Sequence, residues 1–521
     1  MKLNTQPIRM TYDGCRQQVQ RSLEEDINVP DVKPDVSQIM KEEGSVRIDE
    51  IYPVEDRYVV KGVMVYKILY LSEDEKRPVQ SILGEIPFEE SINLNFEAKE
   101  DVMRVRGRLD HLSASLINSR KIGLKGTMTL VLFGECILEK EVLSGGDESG
   151  NIYFKNKTIR VSDAIVSKHD MVRVKESLYL PGNKPGVEAI VYDETRLKNL
   201  NVRQENDKIQ LSGDLSVFVM YMGDGDESRV QTFEMDVPFY TMLMCDNCRE
   251  DMIGDIQVNL QKVDILVKPD EDGEERILEI EATLDLEIHL YQEEELTILN
   301  DVYSTTKELE ITSEEVEFVN LKFRNITKVR VNDRILFEDG RRDILQICHG
   351  TAQVQIDEME MNDEGIRVKG RLLCEALYIT SEDRRPLGVL RGSIPFVQTI
   401  MVPNMTQDIT YEVRPELEQM ALTLIEGGDV EVRATISLDC IVFEKIREKM
   451  IESVVEGASL MEELEKKPGV VGYRVQEGDT LWSIAKEFYT TVESIRELNR
   501  LEREELKEGE RLLLLKHINA L

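Results

Sequence analysis

The sequence predicts a mainly β protein: three tandem antiparallel β-sandwich-like repeat domains followed by a small α+β domain of βααβ pattern. Two observations predict it. Three segments align without gaps over dozens of residues, and the last stretch, 473–516, switches from strand to helix periodicity and back. In the first segment Gly62 leads to Tyr70 and then to Pro87-Phe88. In the second, Gly213 leads to Tyr221 and Pro238-Phe239; in the third, Gly370 leads to Tyr378 and Pro395-Phe396. Gly to Tyr is 8 residues and Gly to Pro 25 in every copy, and Ile39, Ile190 and Ile347 each stand 23 residues before the glycine. The periods, 151 and 157 residues, are domain-sized, so each copy can bury its own core.

Each copy reads as strands. Tyr58 to Leu71 is one long β-rich run, repeated at Ile209 to Met222 and Ile366 to Ile379. The glycine inside each run marks a bulge or bend, not a phosphate cradle. Two strand signals follow the Pro-Phe pair: Val102 to Ser113 and Lys121 to Leu138 in copy one, Gln419 to Glu426 and Asp429 to Phe443 in copy three. Gly427-Gly428 fits a hairpin turn between the latter two. Short helical pieces are expected around Val36 to Met40 and its counterparts. Roughly seven strands per copy follow. The repeats are placed at 5–150, 155–312 and 313–456, a linker at 457–471 and the last domain at 472–517.

In that last domain Tyr473 and Val475 alternate with Arg474 and Gln476, a half-buried strand. Gly478 allows a tight turn, and Asp479 or Thr480 can cap the helix that follows. Leu481, Ile484, Ala485 and Phe488 give that helix one apolar face; Thr491 announces a second, carrying Val492, Ile495 and Leu498 and stopping near Asn499. Gly509 opens the return strand. Trp482, the only tryptophan, falls on the polar side of the first helix. It fits either a residue packed over the return strand or an exposed aromatic for stacking on a sugar or a partner.

The segment resembles the LysM domain, best known for gripping N-acetylglucosamine polymers. The resemblance implies a shallow groove in which Gly478, Asp479, Thr480 and Leu481 face Leu506 to Glu510. The candidate binding residues are therefore Gly478, Asp479, Thr480, Leu481, Trp482, Leu506, Lys507, Gly509 and Glu510. The second loop departs from the family pattern. Arg500 to Arg511 is dense with long charged side chains where glycan binders carry Asn, Ser and Pro, and Lys516 replaces the usual closing proline. Such side chains are costly to order around a shallow sugar site and suit charge complementarity with a protein. The linker, with Gly457, Pro468, Gly469 and a charged run from 462 to 467, is expected to let the module swing.

Composition narrows the function classes. With 101 acidic against 65 basic residues the net charge is −36, which argues against binding nucleic acid or anionic membranes. The start through Pro7 has no signal-peptide core, and no run approaches the roughly 20 apolar residues of a membrane span, so a soluble cytoplasmic protein is expected. Seven cysteines, with Cys136, Cys374 and Cys440 in apolar strand contexts, suggest buried thiols in a reducing compartment.

No constellation supports catalysis, a cofactor or a metal. Cys245-Asp-Asn-Cys248 lacks both the βαβ setting of a redox pair and a second zinc half-site. His111, His169, His289, His349 and His517 are scattered, and acidic runs such as 293–295 and 270–275 read as solvated faces.

Three acidic β-rich repeats with these Gly, Tyr and Pro-Phe landmarks, followed by a LysM-like tail, resemble the SipL family of spore-coat morphogenetic proteins, whose repeats are called SPOCS domains. The resemblance implies a non-enzymatic scaffold at the forespore surface, in the mother-cell cytoplasm. Its LysM would dock to the basement-layer coat ATPase and so join it to other coat proteins. The alternative is binding of peptidoglycan or chitin-type N-acetylglucosamine chains. The charged second loop favours the protein, as does a compartment separated by a membrane from cortex glycan.

Overall fold

The computed structural model describes residues 2–93, 103–147, 151–224, 230–335, 344–382, 385–405, 408–425, 429–466, 468–503 and 505–515. Each repeat folds as six long strands in two three-stranded antiparallel sheets. The first repeat comprises β1 (Leu3–Asn28), β2 (Val36–Val54), β3 (Arg57–Ser72), β4 (Val79–Asn93), β5 (Met103–Asn118) and β6 (Lys121–Gly146). Its sheets run β1-β6-β5 and β2-β3-β4. The second repeats this order with β7 (Ile152–Tyr179), β8 (Val187–Glu205), β9 (Lys208–Gly223), β10 (Val230–Met244), β11 (Ile253–Pro269) and β12 (Glu275–Ser304). The third does so with β13 (Lys307–Ile335), β14 (Ile344–Asn362), β15 (Gly365–Thr380), β16 (Leu387–Met401), β17 (Ile409–Leu424) and β18 (Val430–Ser459). Gly427-Gly428, read as a hairpin turn, lies outside the described residues.

The glycine landmark has a structural cause. Gly62, Gly213 and Gly370 stand directly across the ladder from Phe88, Phe239 and Phe396. A Cβ on Gly62 would run into the Arg47 carbonyl oxygen and lie 2.8 Å from Phe88 Cζ. The aromatic ring therefore covers the glycine, and the expected bulge sits on the neighbouring strand, between Ile48 and Glu50. The tyrosine landmark ties the entry of the first two repeats down: Tyr70 and Tyr221 each donate to a proline carbonyl, Pro34 and Pro185, at 3.1 Å.

The helical pieces expected near Val36 to Met40 are strand. Bulges between Val36 and Gln38 and between Ile39 and Lys41 break the period of two. Val36 and Met40 are thereby both buried at a helix-like spacing, although the backbone is paired with β3.

The first and last strands of each repeat are the longest, and they extend past the sandwich as a paired ribbon. The three ribbons pack together. Ile8, Ile159 and Val316, the same position in the three copies, are buried in one cluster with Val142, Leu296 and Met450. Beyond the sandwiches, Leu69, Met220 and Leu377 are also equivalent, are at most 1% exposed, and share a second cluster. Equivalent residues meeting at two levels arrange the repeats about a pseudo-threefold axis, like a trimer written into one chain.

Chemically different residues close that ring. Position 41 of the first repeat corresponds to Tyr192 and His349. Lys41, 3% exposed, pairs with Glu43 of its own repeat at 2.9 Å, Glu194 of the second at 3.2 Å and Glu375 of the third at 3.1 Å. His349 lies face to face with the Phe218 ring at 3.9 Å and meets Glu194 and Glu234 at 3.2 Å, one on each ring nitrogen. A second belt joins Arg414 to Asp255 by two hydrogen bonds of 2.6 and 2.9 Å, and Arg106 to Glu287 at 2.9 Å.

Candidate binding site

The last domain starts from α1 (Met461–Lys466) and consists of β19 (Val470–Arg474), α2 (Leu481–Glu487), α3 (Val492–Asn499) and β20 (Arg511–Leu515). Thr480, not Asp479, caps α2: its hydroxyl accepts from Ser483 N at 3.0 Å, while Thr480 N donates to Ser483 Oγ at 2.9 Å. Thr491 caps α3 in the same way, accepting from Ser494 N at 2.9 Å. Ile484, Ala485, Ile495, Leu512 and Leu514 form the buried centre. Asn499, which sequence reasoning took only as a helix stop, accepts from Leu513 N at 2.7 Å and donates to its carbonyl at 2.8 Å, bracing β20.

The two expected loops lie side by side. Gly509 N donates to the Val475 carbonyl at 2.8 Å, and Val475 N donates to the Glu510 carbonyl at 2.9 Å. Gly478 and Gly509 both hold positive φ (88° and 79°), which only glycine adopts freely. The Asp479 carboxylate is committed to the first turn, accepting from Gln476 N and from the Tyr473 hydroxyl at 2.8 Å. That bond pushes the Tyr473 pKa up to about 12. The Glu510 carboxylate folds over the second loop, accepting from Lys507 N at 3.0 Å and Arg503 at 3.1 Å. Gly478, Thr480 and Lys507 are exposed; Leu506, Gly509 and Glu510 are half-buried, and Leu481 is buried in the core.

Trp482 belongs to a different face. Its indole donates to Asp301 Oδ2 on β12 at 2.8 Å, and Lys486 Nζ, one turn on, donates to Asp301 Oδ1 at 2.6 Å. The indole packs edge-on to Tyr303 at 4.9 Å, which in turn stacks on Tyr153. The Tyr303 hydroxyl donates to the Thr490 carbonyl at 2.9 Å. Burial pushes the Asp301 carboxyl upward, but the bonds from Lys486 and Trp482 outweigh it and hold its pKa below the usual value. The tryptophan thus packs against the second repeat as well as the core of its own domain. It fastens the module to the second repeat.

The segment expected to swing is tied down as well. Residues 457–459 complete β18, Leu460 N donates to the Thr306 carbonyl at 2.9 Å, and Leu460 and Leu464 are buried. Leu460 just before α1 and Leu464 within it thus anchor the first half of the stretch.

Comparison with known families agrees with this anatomy. Residues 35–117, 186–268 and 343–425 each match the model of the SipL SPOCS domain, and 473–514 match the LysM domain. The chain carries three SipL-type SPOCS repeats and a C-terminal LysM domain. Each SPOCS match takes in the whole of the smaller sheet and the strand after it, but leaves out the long first and last strands that build the axial ribbons. The SPOCS and LysM modules are non-catalytic binding domains, and together they fit a sporulation-related, LysM-containing protein. No curated protein and no solved structure matches the chain. Among the described residues no helix is long and apolar enough to cross a membrane.

Cys245 and Cys248 are buried beside the β8–β9 turn, where Cys245 N donates to the Asp207 carbonyl and Asp207 N donates to the Cys248 carbonyl, both at 2.9 Å. Burial raises both thiols, Cys248 to about 11, so they stay protonated and unreactive near neutrality.

Proposed function

We propose that this chain is a non-enzymatic scaffold of the bacterial endospore coat. Its LysM domain docks to the basement-layer coat ATPase, and its three repeats engage other coat proteins, at the forespore surface in the mother-cell cytoplasm. The observation that carries this reading is the division of labour across the LysM surface. Trp482, the aromatic best suited to stack on a sugar, is spent on Asp301 and Tyr303. What remains open is the charged second loop, with Arg500, Glu502, Arg503, Lys507 and Glu508 all exposed. Alternating long cations and anions on a fixed support favour a protein surface of complementary charge.

Co-purification from sporulating cells tests it. The intact chain should retain the coat ATPase, whereas a chain lacking residues 468–521, or carrying Arg503→Glu with Lys507→Glu, should lose it. Equal retention by the truncated chain would overturn the assignment of docking to the LysM domain. Binding of N-acetylglucosamine oligomers by the intact chain, without the ATPase, would favour the glycan reading instead.

A further inference from the structure

A cleft of about 390 Å³ opens where the second repeat, the third repeat and the LysM domain meet. Lys155 of β7, Lys449 of β18 and Lys486 of α2 line it, together with Asn300, Asp301 and Ser313. Each lysine comes from a different one of the three units. We propose that this cleft binds a small multivalent anion of phosphate or carboxylate chemistry, and that the bound anion locks the LysM domain onto the repeats.

Charge balance carries the argument. Lys486 is satisfied by Asp301, but among the described residues Lys155 and Lys449 make no ion pair. Glu315, across the ladder from Lys449, makes none with it either. Lys155 instead lies 6.0 Å over the Trp482 ring. Two ammonium groups with no ion pair among the described residues thus face one concave space beside a third. Like charges gathered in a partly desolvated cleft repel, and an anion between them converts that repulsion into attraction. Lysine is a point-charge binder of phosphate and carboxylate, and the Asn300 amide and Ser313 hydroxyl supply neutral donors at the same wall. The volume is that of a small-molecule site. A ligand touching all three lysines binds the docked state better than the undocked one, and so must stabilise docking.

The test uses the full chain with pyrophosphate and with citrate, each against sodium chloride of matched ionic strength. The expected result is a saturable rise in melting temperature with protection of residues 460–472 from protease. The response should be at least about tenfold weaker in a Lys155→Gln, Lys449→Gln variant, which alters only surface and half-buried positions. A response to pyrophosphate alone assigns the phosphate class, and one to citrate alone the carboxylate class. No response beyond chloride, or an undiminished response in the variant, overturns the proposal.

Discussion

The Trp482 indole and the Asp301 carboxylate, 181 residues apart, are joined by a 2.8 Å hydrogen bond that fastens the LysM domain to the last strand of the second repeat. Asp301 also holds Lys486. One carboxylate thus receives two donors from successive turns of α2, and the position of the recognition module depends on it.

Asp301→Ala should therefore release the module without unfolding it. Hydrogen bonds to a charged acceptor contribute about 1.5–3 kcal/mol each, so docking should weaken by at least that amount. Limited proteolysis should then cut between residues 460 and 472 faster than in the parent. Asp301→Asn, which keeps one acceptor, should fall between the two. Identical cleavage of parent and Asp301→Ala would refute the docking.

The glycine landmarks should differ in tolerance. A Cβ at Gly62 meets a backbone carbonyl in hard contact, whereas at Gly213 the nearest atoms are 3.1 and 3.3 Å away. Gly62→Ala should cost about 1–3 kcal/mol by overpacking, and Gly213→Ala clearly less. Denaturant melts of the two variants check the order.

Asp255, 3% exposed, takes two hydrogen bonds from Arg414 across the repeat 2–3 boundary. Asp255→Ala leaves the half-buried guanidinium with Glu412 as its remaining close carboxylate and should destabilise the chain by about 1.5–3 kcal/mol. Adding Arg414→Met should recover much of the loss, as a double-mutant cycle in urea would measure.

The axial histidine predicts a pH dependence. Burial lowers the His349 pKa, but its hydrogen bonds to Glu194 and Glu234 and their charges outweigh it, so the folded value lies above 6.5. Stability from this group is complete below pH 6.5 and is lost as pH rises through the folded value. For Glu194, burial raises the pKa, but His349, Lys41 and Arg196 bring it well below 4.5; for Glu234 the His349 bond is the main cause of a lowered value. Their stabilisation is present above pH 4.5 and is lost as pH falls through the folded values. The junction should be tightest between those limits. The melting-temperature gap between the parent and His349→Gln should narrow from about pH 5.5 to about pH 8.5. A gap that does not change with pH would contradict this.

The three repeats and the βααβ tail were legible because their signals are local. Period-two strands, the evenly spaced Gly, Tyr and Pro-Phe landmarks and helix caps are all written within one copy. Strand count was less legible, since an uninterrupted ladder such as β12 carries no turn residue to mark its length, and bulges at Val36 to Met40 imitated a helix. The ring about the axis left no mark in the repeat pattern: equivalent positions 41, 192 and 349 carry Lys, Tyr and His, and their meaning appears only when three copies meet. The role of Trp482 was hidden for the same reason. Its partners Asp301 and Tyr303 lie in another domain, and no local periodicity can report them.

We propose that a firmly seated LysM domain offers its charged loop to a protein. Calorimetric titration of the purified intact chain with the basement-layer coat ATPase, and separately with an N-acetylglucosamine oligomer, tests it most directly. Saturable binding of the ATPase is expected, weakened at least about tenfold by Arg503→Glu with Lys507→Glu, a change of about 1.4 kcal/mol, with no heat from the sugar. Sugar binding at the same loops, or ATPase binding indifferent to the charge reversal, would contradict it.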